Sequence, residues 1–332
     1  MRWVLGIGAL LIGLLAATAE SSPPTRLRLS RVELFGTEYV ALDDWARANG
    51  YQVSWPLPKR EVRLTHPNGK LEFTIDSRKM TLRGVVVWLS HAIAGKDGRA
   101  YISSRDLATA VHPILFPRRQ SSTRKIRSIV LDPGHGGKDP GNQEGSRREK
   151  DYTLLLAREV AEILRRAGIA VKMTRDRDTF VELPSRPQVA NRGNADLFLS
   201  LHFNSADGSG SPAVKGAEVF CMTPVRASST NARGEGAGAG AFPGNRFDQK
   251  NVLLGYQIQK ALSTKAGMED RGLKRARFAV LRDATMPAVL IEAGFMTSPT
   301  DSRRIYDSQQ RKRLAQSVAD GILEYRRLIE RQ

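Results

Sequence analysis

The hydrophobic rhythm of this chain changes once, between residues 117 and 126, and that change bounds what it can fold into. Before it, apolar residues recur with period two: Val53 and Trp55, Val62 and Leu64, Leu71 with Phe73 and Ile75, then Val85, Val87 and Leu89. Alternation of this kind belongs to half-buried strands. Pro67-Asn68-Gly69, between two of the runs, suits a tight hairpin. Two short helical stretches interrupt the strands, Leu42–Asn49 and Ser104–Ala110. Beyond the change, apolar runs alternate with longer helical patterns, the arrangement of an α/β sheet. The segment between is polar, basic and led by Pro117, as linkers are. The expected organisation is a small α+β domain over 27–116, a linker over 117–126 and an α/β domain over 127–332, each long enough to bury a core.

In the second domain Ser128–Leu131 reads as a buried strand. Glu149–Ala167 reads as a helix, because Tyr152, Leu156, Val160, Ile163, Leu164 and Ala167 share one face and Gly168 can end it. Ala170–Thr174, Asp196–Leu201 and Ala288–Ile291 are further strands, and Ser185–Asn191 begins a short helix. A final helix carries Leu314, Val318, Ile322, Tyr325 and Ile329. Residues 231–244 are Gly-rich without periodicity, which is expected of a mobile surface loop.

The first residues speak to compartment. Arg2 precedes an apolar run from Trp3 to Ala17, and Ala17-Thr18-Ala19 has the small-x-small form of a signal-peptidase site. The run falls short of the about 20 residues that a membrane span needs. Residues 1–19 are therefore expected to be a signal peptide, leaving no stable membrane span after cleavage and placing the chain in the periplasm or cell wall. The formal charge of +18 predicts attraction to a polyanion. Export disfavours nucleic acid as that partner, and no nucleic-acid-binding motif is present. Charge alone does not choose between an anionic lipid surface and an acidic cell-wall polymer, and its ordinary reading is solubility. Cys221 is the only cysteine, so a disulfide within the chain and a thiolate zinc site are both excluded, and a metal must rely on His and carboxylates.

Such groups gather at strand ends. His135 follows Ile129-Val-Leu-Asp-Pro-Gly134, His202 follows Leu197-Phe-Leu-Ser-Leu201, and Glu292 directly follows Val289-Leu-Ile291. In open α/β sheets, functional groups collect beyond the carboxyl ends of the strands. A catalytic zinc takes three N or O ligands and leaves a fourth position open. His135 and His202 are natural ligands, and Glu149, returning through the Gly-rich stretch 136–145, is the best third. Glu292 then remains as general base. Singly each has an ordinary reading: Glu149 favours the start of its helix, Glu292 can pair with Arg282 or Arg271, and Cys221 is a small hydrophobe. Their convergence carries the argument.

The same segments resemble the zinc-dependent N-acetylmuramoyl-L-alanine amidases of the type-three catalytic domain, over about residues 127–330. The resemblance lies in Ile129-Val-Leu-Asp-Pro-Gly-His-Gly-Gly-Lys-Asp-Pro-Gly141, Arg148-Glu-Lys150, Thr174-Arg175 with Asp178, and Leu183-Pro-Ser-Arg186. It continues through Ala190-Asn191, Ala195-Asp-Leu-Phe-Leu-Ser-Leu-His-Phe-Asn204, Arg271-Gly272, Phe278-Ala-Val-Leu281 and Met286-Pro-Ala-Val-Leu-Ile-Glu-Ala-Gly-Phe295. It implies a mixed, mostly parallel twisted sheet with helices on both faces. It also implies a Zn2+ site of His135, Glu149 and His202, with Glu292 as catalytic acid/base. The implied reaction is hydrolysis of the amide between N-acetylmuramic acid and L-alanine in peptidoglycan. Asn204 and Arg271 are expected to bind substrate, while Arg186 and Asn191 hold the structure together. Two rival functions are a non-catalytic peptidoglycan-binding scaffold and a zinc peptidase acting within the stem peptide.

Some members of that family carry a long helical insert that blocks the zinc. Here the corresponding region, roughly Thr223–Lys250, reads as poorly helical, which argues against self-inhibition. The first domain resembles the stalk-type domain at the front of copper amine oxidases, through Gly36–Leu42 and Gly98–Ser103. Copper is not implied, because His66, His91 and His112 lack ligand spacing. Docking of the wall or of a protein activator is the expectation for this domain.

Overall fold

The computed structural model describes residues 29–118, 125–206, 213–230 and 240–330. The signal-peptide expectation lies outside these, as do most of the linker and residues 231–239 of the Gly-rich loop.

The first domain holds β1 (Arg31–Leu34), β2 (Thr37–Ala41), α1 (Leu42–Ala48), β3 (Gln52–Leu57), β4 (Glu61–His66), β5 (Gly69–Thr74), β6 (Lys79–Leu82), β7 (Val85–Trp88), β8 (Ala94–Lys96) and β9 (Arg99–Ser103). The hairpin at Pro67-Asn68 forms as expected, with His66 opposite Gly69. β1, β2, β9 and β8 make one small sheet, and β3 to β7 form an antiparallel meander. The helical stretch expected at Ser104–Ala110 runs on to Leu115 as α2 (Ser104–Asp106), a π turn (Leu107–Val111) and α3 (His112–Leu115). Its inner residues Leu107, Ala110, Val111, Ile114 and Leu115 are buried.

The second domain begins with β10 (Ser128–Pro133), a short hairpin of β11 (Gln143–Glu144) and β12 (Arg147–Arg148), then α4 (Glu149–Arg166), β13 (Ala170–Met173), α5 (Ser185–Arg192) and β14 (Leu197–Asn204). It continues with β15 (Ala217–Met222), α6 (Asp248–Thr264), β16 (Asp270–Ala276), α7 (Ala279–Arg282), β17 (Ala288–Phe295), α8 (Pro299–Tyr306) and α9 (Ser308–Glu330). The strands lie in the order β13, β10, β14, β17, β15, β16. All neighbours are parallel except β15 and β17, which makes the sheet mixed and mostly parallel. Parallel strands are covered on both faces. Ile129, Leu131, Leu199 and Leu201 face a core shared with α4, α6 and α9. Val130, Phe198, Phe220 and Leu290 face a smaller core closed by α5 and α7.

Seven elements of this domain escaped the sequence reading: β11, β12, β15, α6, β16, α7 and α8. α6 is apolar around most of its circumference, with Val252 to Ile258 all buried, so it shows no amphipathic stripe. It packs so tightly on α9 that a Cβ at Gly321 would stand 2.5 Å from the Cα of Ile258. β16 reads Asp-Arg-Gly-Leu-Lys-Arg-Ala, with more charge than a strand normally buries, yet Lys274 and Arg275 are both enclosed. Within Thr223–Lys250 the described residues hold a 3-10 turn, Pro243–Phe247, and the first turn of α6.

The two domains are joined by more than a linker. β7 pairs in parallel with β16, Val87 opposite Leu273, so the meander continues the second domain's sheet to eleven strands. The Val86 N–H donates to Asp270 (2.8 Å), the Trp88 indole to the Arg271 carbonyl (3.0 Å) and the Tyr256 hydroxyl to the Leu82 carbonyl (3.0 Å).

Candidate metal centre

β10, β14 and β17 are adjacent, and their carboxyl ends put the chemistry in one place. Pro133 pairs with Leu201 and His202 pairs with Glu292. Glu149 opens α4. His135 Nε2 lies 3.0 Å from Glu149 Oε2, and His202 Nδ1 lies 2.9 Å from Glu149 Oε1. One donor atom from each of the three falls within 4.8 Å of the others. Among the described residues this is the only group of three His, Cys, Asp or Glu side chains so arranged. His66, His91 and His112 are not part of such a group: the Trp45 indole donates to His112 Nε2 (2.9 Å), and His91 stands beside Asp106 (3.4 Å).

Glycine makes the room. A Cβ at Gly134 would sit 2.2 Å from the His202 ring. At Gly141, where φ is +65°, a Cβ would stand 2.6 Å from the His135 ring and 2.7 Å from Glu149. His135 itself is left-handed, φ +61°, a conformation that a non-glycine residue holds only when its surroundings impose it.

Those surroundings are three cations around the strand-end loop. Arg175 donates to the carbonyls of Pro133 (3.0 Å) and Gly134 (2.7 Å). Arg186 pairs with buried Asp132 (2.9 Å) and donates to the carbonyls of Pro133 and His135. Lys150 ties the Gly137 carbonyl to Asp178. Arg186 thus holds the structure together, as expected of it, and Asn191 does likewise by bonding the Asp283 carbonyl and Thr285. Asp139 Oδ2 meets His135 Nδ1 at 2.9 Å, which leaves Nε2 facing Glu149. The N–H groups of Asn142 and Phe203 donate to the two Glu149 oxygens, at 2.9 and 3.1 Å.

The electrostatics separate the two glutamates. Burial opposes charge on Glu149, but the hydrogen bonds and charges of His135 and His202 outweigh it and hold that carboxyl well below the usual range. Burial pushes Glu292 well above the usual range, aided by the negative charges of Glu149 and Glu218 and opposed by Lys274. Glu292 Oε2 is enclosed and has no hydrogen-bond partner. The pairings with Arg271 or Arg282 that the sequence leaves open do not form: Arg282 pairs with Asp283, and Arg271 with Glu218. A cavity of about 360 Å³ opens over His135, Glu149, His202 and Glu292.

Asn204 and Arg271 turn away from that cavity. Asn204 Nδ2 and Arg271 Nε both donate to buried Glu218, at 3.0 Å each, and Lys274 Nζ joins them at 2.5 Å. Glu218 and Asp139 escaped the sequence reading. Glu218 precedes Val219-Phe-Cys-Met222, an acid beside an apolar run, which is the signal that singled out Glu292.

Two imidazoles, one carboxylate and an unpartnered carboxyl oxygen beside them are a donor set that suits a divalent ion. The fit is met by residues alone, and Gly134 and Gly141 leave room for the His135, His202 and Glu149 side chains.

A family model described as N-acetylmuramoyl-L-alanine amidase matches residues 129–324, and one described as copper amine oxidase N-terminal domain matches residues 32–113. The chain is 32% identical over 285 residues to N-acetylmuramoyl-L-alanine amidase AmiA of Salmonella typhimurium, covering 77% of this chain and 94% of that protein. It is 32% identical over 208 residues to the probable cell wall amidase LytH of Staphylococcus epidermidis, covering 62% of this chain and 60% of that protein. Among solved structures, amidase AmiC2 of Nostoc punctiforme is similar with a TM-score of 0.50 and 34% identity, covering 60% of this chain and 96% of that one. The chain belongs to the N-acetylmuramoyl-L-alanine amidase family of peptidoglycan hydrolases.

Proposed function

We propose that this chain is an exported, zinc-dependent amidase in which His135, Glu149 and His202 hold the ion and Glu292 moves the proton. The observation that carries this is the meeting of the two His and Glu149 beside Glu292, one strand away in register. Zinc bound there would acidify a water toward a pKa of about 7 and polarise the scissile carbonyl.

The protein's own groups do the rest. Asp139 fixes the His135 tautomer, so that Nε2 points at the site. Glu149 stays ionised and accepts from two backbone N–H groups, which keeps its oxygens aimed. Glu292 Oε2, raised in proton affinity and free of partners, takes a proton from the attacking water and returns it to the leaving alanine nitrogen. The cations of Arg175, Arg186 and Lys150 keep the His135 loop from relaxing. Asn204 and Arg271 fix Glu218, the acid in register with Glu292, and do not line the cavity.

Residues 1–19 are proposed as the removed signal peptide, 27–116 as an accessory domain that can dock an activator, 117–126 as the linker and 127–332 as the catalytic unit. The name of LytH, a cell wall amidase, supports placing this chain at the wall or in the periplasm. No described helix is long and apolar enough to cross a membrane.

Digestion of purified sacculi by the wild type and by Glu292→Gln, with and without chelator, tests the reading. Mass spectrometry should find stem peptides beginning at L-alanine from the untreated wild type only. Fragments cut inside the stem, or release that survives both chelator and Glu292→Gln, would refute it.

A further inference from the structure

Leu183 and Phe278 are large apolar side chains open to solvent, 59% and 39% exposed, and both line the cavity over the histidines and Glu292. Single apolar residues on a surface are ordinary, but two that converge on one cleft among polar groups mark a ligand groove.

Neither is exposed because its backbone is loose. Arg186 Nε donates to the Val181 carbonyl (3.1 Å) while its other nitrogens grip Asp132 and the His135 carbonyl, which braces the turn that carries Leu183. Phe278 caps α7, where its carbonyl accepts from the N–H groups of Leu281 and Arg282, both at 2.9 Å. Its ring stands edge-on to buried Phe220, with centroids 5.2 Å apart. Val280 and Leu290 continue the apolar lining beneath. The cleft thus combines an apolar lining on braced backbone with the metal-type ligands.

The bond that the family cleaves has methyl groups on both sides, one on the lactyl ether and one on L-alanine. A rigid apolar surface beside the cleavage point gains from burying a methyl and gains nothing from a hydrogen. We infer that Phe278 and Leu183 form the wall that receives these methyls, and so select alanine over glycine at the first position of the stem peptide. This rests on the amidase reading. Phe278 and Leu183 act by contact with substrate and have no part in the proton transfer.

The test uses the zinc-loaded chain and two synthetic muramoyl tripeptides that differ only in L-alanine or glycine at the first position. The wild type should favour the alanyl substrate in kcat/KM by about 10-fold or more. Phe278→Ala and Leu183→Ala should each compress that ratio to within about 3-fold, by losing more rate on the alanyl substrate than on the glycyl one. Leu183 is exposed enough that its truncation leaves the fold intact, so it decides the matter even if Phe278→Ala misfolds. Equal loss on both substrates, or a wild type without preference, overturns the wall. A wild type that hydrolyses neither tripeptide and leaves sacculi uncut would sink the amidase reading itself, a result distinct from the first two.

Discussion

Glu218 and Glu292 face each other across the antiparallel pair of β15 and β17, two acids in register on neighbouring strands. Their surroundings differ. Glu218 is held by Lys274, Arg271 and Asn204, whereas Glu292 Oε2 has no partner. Fixed negative charge behind an unpartnered carboxyl raises its proton affinity, which suits a group that must accept a proton near neutral pH.

Glu218→Gln removes that charge. The proton affinity of Glu292 then falls, so the acidic limb of the kcat/KM profile should move to lower pH. Stability should drop by about 3 kcal/mol, because Lys274 is left as an uncompensated buried cation. A pH-rate profile and thermal unfolding check both. An unmoved acidic limb would show that Glu218 does not influence Glu292.

Asp139 touches His135 only through Nδ1 and is partly exposed. Asp139→Asn should therefore weaken zinc binding by about 10- to 100-fold with little change in melting temperature. Competition against a chromophoric chelator measures it, and wild-type affinity in the variant would remove Asp139 from the site.

Gly134→Ala places a methyl where the His202 ring now lies. Backbone cannot yield there, since Arg175 and Thr153 both hold the Gly134 carbonyl. Zinc stoichiometry should fall toward zero in a chain that still shows native far-UV dichroism. Full zinc occupancy would mean that the strand ends lie further apart than described.

With one sheet running through both domains, they are expected to unfold as one unit. Tyr256→Phe deletes the hydroxyl that reaches the Leu82 carbonyl across the boundary, and should cost about 1 kcal/mol by removing that hydrogen bond. Calorimetry should show a single transition moved to lower temperature. Two transitions, only one of them shifted, would show that the domains unfold independently.

Much of this was legible in the sequence, and the physical reason is local. β10, β14 and β17 are continuous aliphatic runs, as strands covered on both faces must be, and each ends in a group that water-free burial would not tolerate without purpose. α4 and α9 carry apolar stripes at helical spacing. What stayed hidden depends on contacts distant in sequence. β16 buries Lys274 beside Glu218, which neutralises it, and α6 is a helix wrapped on most sides by sheet and α9. The pairing of Val87 with Leu273 joins residues whose neighbours give no hint of each other. Asn204 and Arg271 point to Glu218 for the same reason: their partner lies on a strand that the pattern alone did not reveal.

The central claim is that two imidazoles and one carboxylate grip a divalent ion. Elemental analysis of the dialysed protein tests it most directly, for the wild type, His135→Ala, His202→Ala, Glu149→Ala and Glu292→Gln. The expected result is about one zinc per chain in the wild type and in Glu292→Gln, and almost none in the other three. Zinc retained in full after loss of either histidine, or absent from the wild type after reconstitution, would contradict the claim.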